Sequence, residues 1–289
     1  MQTPYSQKQV IALDVDNTLT PPRYPLQSDM ACALRRLRVP FVLSAGGDLD
    51  LISDQFTQPL HRSGYRGSFA AFLCNGARRY QFDLTETISD ELIRDFSVAE
   101  FLGDTRFRRL LQLVENTLNL EEFQFPRPIT VIGERIVNRK SMINVAPIGR
   151  PRGQLTDQMH ENRVLFQKYD LQSGFRQRFL ARLSLELADF LKAGMHISLG
   201  GQTSFDLVVK GNDKSFALKT LLEEGASHVW FVGDALFNGG NDEAVLKFIE
   251  SWDGPQPCPV EAIKVESWRD TIDIFRRLSI LDDESTLCV

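Results

Sequence analysis

Asp14 and Asp16 stand one residue apart at the end of the apolar run Val10-Ile11-Ala12-Leu13, and the chain turns soon afterwards at Pro21-Pro22. Two carboxylates in so small a volume repel each other and lose solvation, so something of opposite charge must compensate them. A divalent cation that prefers oxygen ligands, such as Mg²⁺, does so. The chemistry open to such a pair is attack by one carboxylate and proton transfer by the other. A solvated turn could carry the same two residues, so the motif alone leaves both readings open.

A second acidic cluster lies far along the chain. His228-Val229-Trp230-Phe231-Val232-Gly233-Asp234 is again an apolar run ending in Asp, and Asn238-Gly239-Gly240-Asn241-Asp242 follows it. Short apolar runs of this kind read as strands buried on both faces of a parallel sheet, whose carboxyl ends line the ligand crevice of open α/β folds. The two sites meet only if their strands are neighbours in one sheet. Together they resemble the haloacid dehalogenase superfamily of phosphoryl-transfer enzymes.

The positioning elements alternate. Ser28 can cap a helix bearing Met30, Leu34 and Leu37; Pro40 to Ser44 and Phe69 to Cys74 read as strands. Late in the chain, Asp213 can cap a helix running through Leu222. The Val229 strand, a strand at Ala262 to Val265, and a helix opened by Ser267 and Asp270 follow. This order implies a parallel sheet with helices on both faces. The middle differs: Ile129 to Ile132 and Ile136 to Val145 suggest a hairpin about Gly133-Glu134, and Phe179, Leu183, Leu187, Phe190 and Leu191 repeat at helical spacing before Gly194. Extended runs at His196 to Leu199 and Ser204 to Val209 flank Gly200-Gly201. The expected architecture is a Rossmann-like α/β core of residues 1–84 and 211–289, with an inserted α+β cap over 85–210.

The 289 residues, 43% hydrophobic and 25% charged, supply ample material for a packed core. A formal charge of −5 argues against nucleic acid as the main partner. Arg135, Arg139, Lys140, Arg150, Arg152 and Arg163 nevertheless crowd one central stretch. No apolar run is long enough to span a membrane, and the first residues lack a secretory segment. Four cysteines without Cys-x-x-Cys spacing read as reduced thiols, giving a cytoplasmic expectation.

Three stretches narrow the resemblance. Met142-Ile143-Asn144-Val145-Ala146-Pro147-Ile148-Gly149-Arg150 is similar to Met-Leu-Asn-Val-Ser-Pro-Ile-Gly-Arg of the eukaryotic-type phosphomannomutases. Gly200-Gly201-Gln202-Thr203-Ser204-Phe205-Asp206 resembles their Gly-Gly-Gln-Ile-Ser-Phe-Asp, and Gly233 to Asp242 matches Gly-Asp-x-x-x-x-Gly-Gly-Asn-Asp. The order and approximate spacing agree over nearly the whole chain. The resemblance implies a haloacid dehalogenase core with a C2b-type cap. It implies Asp14 as nucleophile, Asp16 as general acid/base and Lys214 as the neutralising lysine. Mg²⁺ would be held by Asp14, the Asp16 carbonyl and Asp234, with Asn238 and Asp242 in support. Arg23, Arg139, Arg150 and Arg163 would meet the phosphate that is not reacting, and Ser204 and Asp206 the sugar hydroxyls. The chain departs from the family at Asn17, which replaces a glycine, at Asn212, which replaces a tryptophan, and at Arg139-Lys140-Ser141-Met142, which replaces Arg-Asn-Gly-Met. Gly47 stands where these mutases have serine, which leaves Ser44 as a possible second-motif hydroxyl. Between Arg150 and Arg163 the chain is several residues longer than in the family.

The implied activity is a phosphohexomutase interconverting mannose 1-phosphate and mannose 6-phosphate, with glucose phosphates also admitted, through a phospho-aspartate and a hexose 1,6-bisphosphate. The alternative is a Mg-dependent sugar-phosphate phosphatase of the same superfamily. A non-catalytic sugar-phosphate-binding protein would have no chemical need for Asp14, Asp16, Lys214, Asp234 and Asp242 together. The resemblance further implies a homodimer through the cap.

Overall fold

The structure, a computed structural model, describes residues 5–22, 24–150, 157–200, 202–238 and 240–282. β1 (Gln9–Leu13) is buried at every position after Gln9, as an apolar strand covered on both faces must be. α1 (Ser28–Arg35) and β2 (Phe41–Ser44) follow. α2 (Leu49–Ile52) and α3 (Gln58–Arg62) are joined by one π-type turn over Ser53–Thr57. β3 (Ser68–Leu73), β4 (Arg78–Asp83) and β5 (Ser89–Asp95) complete this stretch. The middle of the chain carries α4 (Val98–Leu102), α5 (Asp104–Leu118), β6 (Glu134–Asn138), β7 (Ile143–Arg150) and α6 (Asp157–Ser173). It continues with α7 (Phe175–Glu186), α8 (Ala188–Lys192), β8 (Met195–Gly200) and β9 (Ser204–Val209). α9 (Ser215–Glu223), β10 (His228–Gly233), α10 (Glu243–Glu250), β11 (Val260–Lys264) and α11 (Asp270–Arg277) close the chain.

Two compact units result, Met1–Asp95 with Gly211–Val289, and Phe96–Lys210. The first holds a seven-stranded sheet in the order β11-β10-β1-β2-β3-β4-β5. Its first five strands are parallel; β4 then pairs antiparallel with β3, and β5 antiparallel with β4. β1 is the middle one of the five parallel strands and lies between β10 and β2, with Leu13 paired to both Val232 and Leu43. That register brings the residues just past β1 and β10 side by side.

Residues 85–95, expected in the cap, belong instead to the first unit, and Ser89–Asp95 of them to its sheet. The Thr85 amide and hydroxyl both donate to Asp83 Oδ1, at 2.8 and 2.7 Å, and the tightened turn sends β5 back along β4. Ser89-Asp90-Glu91 is too polar to read as a strand. Cysteine use is also corrected in part: Cys74 and Cys258 are free thiols, whereas Cys32 is disulfide-bonded.

The second unit carries a four-stranded antiparallel sheet in the order β6-β7-β9-β8. Its first hairpin turns at residues 139–142, not at Gly133-Glu134. Asn138 accepts the Lys140 amide at 2.9 Å, Arg139 N–H donates to the Met142 carbonyl, and Lys140 takes a left-handed φ of 62°. Residues 129–132 form no strand; the Ile132 amide instead donates to the Ile148 carbonyl. Gly149 admits this approach, since a Cβ there would lie 2.4 Å from the Ile132 oxygen. The helix expected over 179–191 breaks at Leu187, where ψ swings to 15°, into α7 and α8. Phe179, Leu183, Leu187 and Phe190 are nonetheless buried as the periodicity requires, and Leu191 is partly buried against the same cluster.

Phe179 anchors that core, fully buried, with ring centroids 5.0 Å from Phe123 and 4.9 Å from Phe205. Phe179→Ala is expected to lower stability by about 3–5 kcal/mol. Denaturant titration followed by near-ultraviolet dichroism measures it, and a loss below about 1 kcal/mol would contradict this packing.

Candidate active site

Lys214 sits in front of α9 with none of its surface exposed, and its Nζ lies 2.5 Å from Asp14 Oδ1. It also donates to Asp242 Oδ1. Asp14 follows β1, and its amide donates to the Val232 carbonyl of β10. Asp242 precedes α10 and accepts the Ala235 amide at 3.1 Å. Glycine is required at 233: a Cβ there would stand 2.4 Å from Asp242 Oδ2. Asp14, Asp234 and Asp242 offer carboxylate oxygens all within 4.8 Å of one another.

Asp16 lies outside that trio and is half-buried. Gln55 Nε2 donates to its Oδ1 at 2.7 Å and to the Thr20 hydroxyl at 2.6 Å. Gln55 belongs to the π-type turn between α2 and α3, a local widening of the helix frequent at functional sites. Asn17, left-handed at φ 60°, sends its Nδ2 to Asp234 Oδ2 at 3.0 Å and to the Glu266 carbonyl at 3.2 Å. Neither residue was expected in the site. Hydrophobic pattern gives no signal for Gln55, and Asn17 carried only its departure from glycine.

Burial pushes the Asp14 carboxyl up to about 6; the Lys214 charge opposes this and Asp242 adds to it. Burial pulls the Lys214 ammonium down, but Asp14 and Asp242 outweigh it and hold its pKa above the ordinary lysine value. Three carboxylates facing one ammonium leave negative charge uncompensated. An all-oxygen donor set of this size fits a hard divalent cation. Asn238 is exposed, and among the described residues no hydrogen bond draws it to the trio.

A second polar cluster lies in the other unit. β7 and β9 pair Asn144 with Asp206, and Asn144 Nδ2 donates to Asp206 Oδ1 at 2.6 Å. Arg150 donates to Asn144 Oδ1 at 3.2 Å. Burial raises the Asp206 pKa, opposed by the Asn144 hydrogen bond and by the charges of Arg139 and Arg150. Arg176 on α7 donates to the Ser204 carbonyl at 3.2 Å. Phe205 and Leu207 point into the core, as strand alternation demands. Asn144 and Arg176 were not foreseen, although Asn144 lies inside a recognised segment. Among the described residues no hydrogen bond or ion pair ties Arg163, half-buried on α6, to this cluster. Arg23 lies outside the described residues.

A parallel sheet with paired strand-end carboxylates and a buried lysine defines a haloacid dehalogenase-type phosphoryl-transfer scaffold. Solved structures agree on the fold. A haloacid dehalogenase-like hydrolase from Bacteroides thetaiotaomicron matches 94% of this chain and 100% of its own, with TM-score 0.51 and 14% identity. The IMP-bound IMP-nucleotidase of Plasmodium falciparum matches 96% of this chain and 70% of its own, with TM-score 0.56 and 14% identity. Residues 30–255 match the family model of eukaryotic phosphomannomutase. The phosphomannomutase of Saccharomyces cerevisiae is 31% identical over 82% of this chain and 84% of its own length, and that of Spinacia oleracea 32% over 82% and 86%. The chain belongs to the eukaryotic phosphomannomutase family, and is an enzyme. Among the described residues no helix is long and apolar enough to cross a membrane.

The raised Asp14 pKa has a measurable sign. The folded state binds this proton more tightly than the unfolded state, where the carboxyl has its ordinary value of 3.8. Ionised Asp14 therefore opposes folding above about pH 6, and the penalty fades as pH falls through 6 toward 4. In EDTA, the melting temperature of Asp14→Asn relative to the unsubstituted protein should be highest near pH 7.5 and decline below pH 6. A difference profile flat across that range would show that Asp14 is not perturbed.

Proposed function

We propose that this enzyme interconverts mannose 1-phosphate and mannose 6-phosphate, with glucose phosphates also accepted, through phospho-Asp14 and a hexose 1,6-bisphosphate. The observation that carries the reading is the buried Lys214 ammonium on Asp14, within a trio of carboxylates, in a chain of this family. An Asp14 oxygen attacks phosphorus, the bond from phosphorus to the sugar oxygen breaks, and that oxygen takes its proton from Asp16. Gln55 Nε2 donates to Asp16 Oδ1 and helps hold the carboxyl in place. Lys214 offsets charge on the nucleophile and the transferring group. Mg²⁺, held by Asp14, Asp234 and the Asp16 carbonyl with Asp242 and Asn238 in support, would supply further charge neutralisation. In the other direction phospho-Asp14 passes its phosphoryl to the free hydroxyl of the bound hexose monophosphate, whose proton Asp16 takes, and the acyl phosphate bond breaks to give the bisphosphate. The bisphosphate turns round, and its other phosphoryl returns to Asp14.

The second unit is the sugar-phosphate-binding cap in this reading. Arg139 and Arg150, with Arg23 and Arg163, present planar forks to the phosphate that is not reacting. Ser204 and Asp206 bind sugar hydroxyls, and Asn144 fixes Asp206. The family likeness also supports a homodimer through this unit and a cytoplasmic setting, and the net charge of −5 speaks against nucleic acid.

Gly47 favours a second reading, a sugar-phosphate phosphatase. Without the serine of the second motif the phosphoryl pocket is altered, and water could reach phospho-Asp14. Phosphorus NMR with Mg²⁺, mannose 1-phosphate and catalytic hexose 1,6-bisphosphate separates the two. The expected result is mannose 6-phosphate with little free phosphate, stimulation by the bisphosphate, and no turnover by Asp14→Asn. Stoichiometric inorganic phosphate without 6-phosphate would make the enzyme a phosphatase.

Arg150→Ala should raise KM for mannose 1-phosphate by the equivalent of roughly 2–4 kcal/mol, as a charge-assisted contact is lost. Hydrolysis of a small aryl phosphate should change far less, since it has no second end to grip. Equal losses on both substrates would place Arg150 in folding or in the transfer chemistry.

A further inference from the structure

Asn17 brings a side chain to a position where the family has glycine, and it does so at a backbone φ of 60°. Glycine enters that left-handed region without cost, and asparagine is among the few other residues that tolerate it. A side chain kept there calls for something that it does. Its partners show what. Asn17 Nδ2 donates to Asp234 Oδ2 at 3.0 Å and to the Glu266 carbonyl at 3.2 Å. Two acceptors at one end of the amide fix that end as the nitrogen and use both of its hydrogens. Lys214 donates to Asp14 and Asp242, whereas Asp234 has the Asn17 amide. Among the described residues no other hydrogen bond reaches the Asp234 carboxylate.

The amide is itself held from two sides. The Glu266 and Ser267 amides donate to Asp270 Oδ2, at 3.1 and 2.9 Å, which fixes the loop after β11 at the start of α11. Thr271 of α11 donates its buried hydroxyl to the Thr18 carbonyl at 2.6 Å, tying the loop after β1 to the same helix. One asparagine thus joins the loops that follow β1, β10 and β11, and Asp234 is aimed from a braced frame.

We propose that Asn17 is a positioning residue whose amide holds Asp234 in the orientation that binds the divalent cation, a task that glycine, without a side chain, cannot perform. This rests on the reading of Asp14, Asp234 and Asp242 as the cation site. A hydrogen bond to a ligating carboxylate sets its orientation before the ion arrives, and losing such a partner typically weakens metal binding about 10- to 100-fold. An asparagine that served only to shape the turn would entail no such loss on replacement by glycine, which suits a φ of 60° at least as well.

The experiment titrates the full chain, freed of metal with EDTA and dialysed, with Mn²⁺, a hard divalent ion that suits carboxylate ligands. Free Mn²⁺ is read by electron paramagnetic resonance, and competition gives the constant for Mg²⁺. Asn17→Gly should weaken both ions roughly 10- to 100-fold. Asn17→Ala also lacks the amide but adds backbone strain, so without metal it should melt below Asn17→Gly while binding the ions about equally poorly. In turnover of mannose 1-phosphate, the Mg²⁺ needed for half the maximal rate should rise in Asn17→Gly by the same factor, and saturating Mg²⁺ should restore kcat. Asp234→Asn is the control and should lose the site. If Asn17→Gly binds Mn²⁺ within about twofold of the unsubstituted protein while Asp234→Asn does not bind, the amide does not hold the ligand and the proposal fails alone. A turnover loss in Asn17→Gly that saturating Mg²⁺ leaves in place would put Asn17 in the transfer chemistry and overturn the proposal likewise. If Asp234→Asn binds Mn²⁺ normally, the trio is not the cation site, and that reading fails together with this proposal.

Discussion

A fully buried ammonium clamped between two carboxylates organises the first unit. Removing such charges from water is expensive, and the attraction among them compensates only when the geometry is held closely. The chain invests in that geometry at several places. Gly233 leaves room for Asp242, and Gly76 leaves room for the Asp213 carbonyl, which would stand 2.5 Å from a Cβ at that position. Arg94 braces the loop that carries Lys214: its guanidinium lies 4.0 Å over the Phe216 ring and donates to Asn212 and to the Gly76 and Ala77 carbonyls. Asn212, where the family has tryptophan, is thus used as a hydrogen-bond acceptor.

The same economy of polar contacts governs the second unit. Asn144 bridges Arg150 and Asp206 and keeps the arginine's charge and the buried carboxyl in one network. Asp206 is thereby held half-buried beside the charges of Arg139 and Arg150. The aromatic core beneath, in which Phe205 meets Phe179, leaves that polar face little freedom to shift.

Much of this was legible because strand-end acids announce themselves. Asp14 and Asp234 each close an apolar run, and parallel pairing of β1 with β10 makes them neighbours. Lys214, Asp242, Ser204 and Asp206 followed from the resemblance. What stayed hidden were polar partners assembled by tertiary structure: Gln55 enters through a π-type turn, and Asn17 through a left-handed backbone. Local hydrogen bonds overrode pattern elsewhere. Thr85 folds β5 back onto the core sheet, and Asn138 moves a hairpin turn several residues downstream of the glycine that suggested it.

The position of β1 has a consequence for how the molecule comes into being. One edge of β1 pairs with β2, only a short helix away, but the other pairs with β10. On a ribosome that second edge stays open while all of Phe96–Lys210 is synthesised, an apolar strand offering unpaired amides and carbonyls to any neighbour. The inserted unit is contiguous and needs no residue outside itself to complete its sheet. The inserted unit can therefore complete its sheet before β10 has been made to close the second edge of β1.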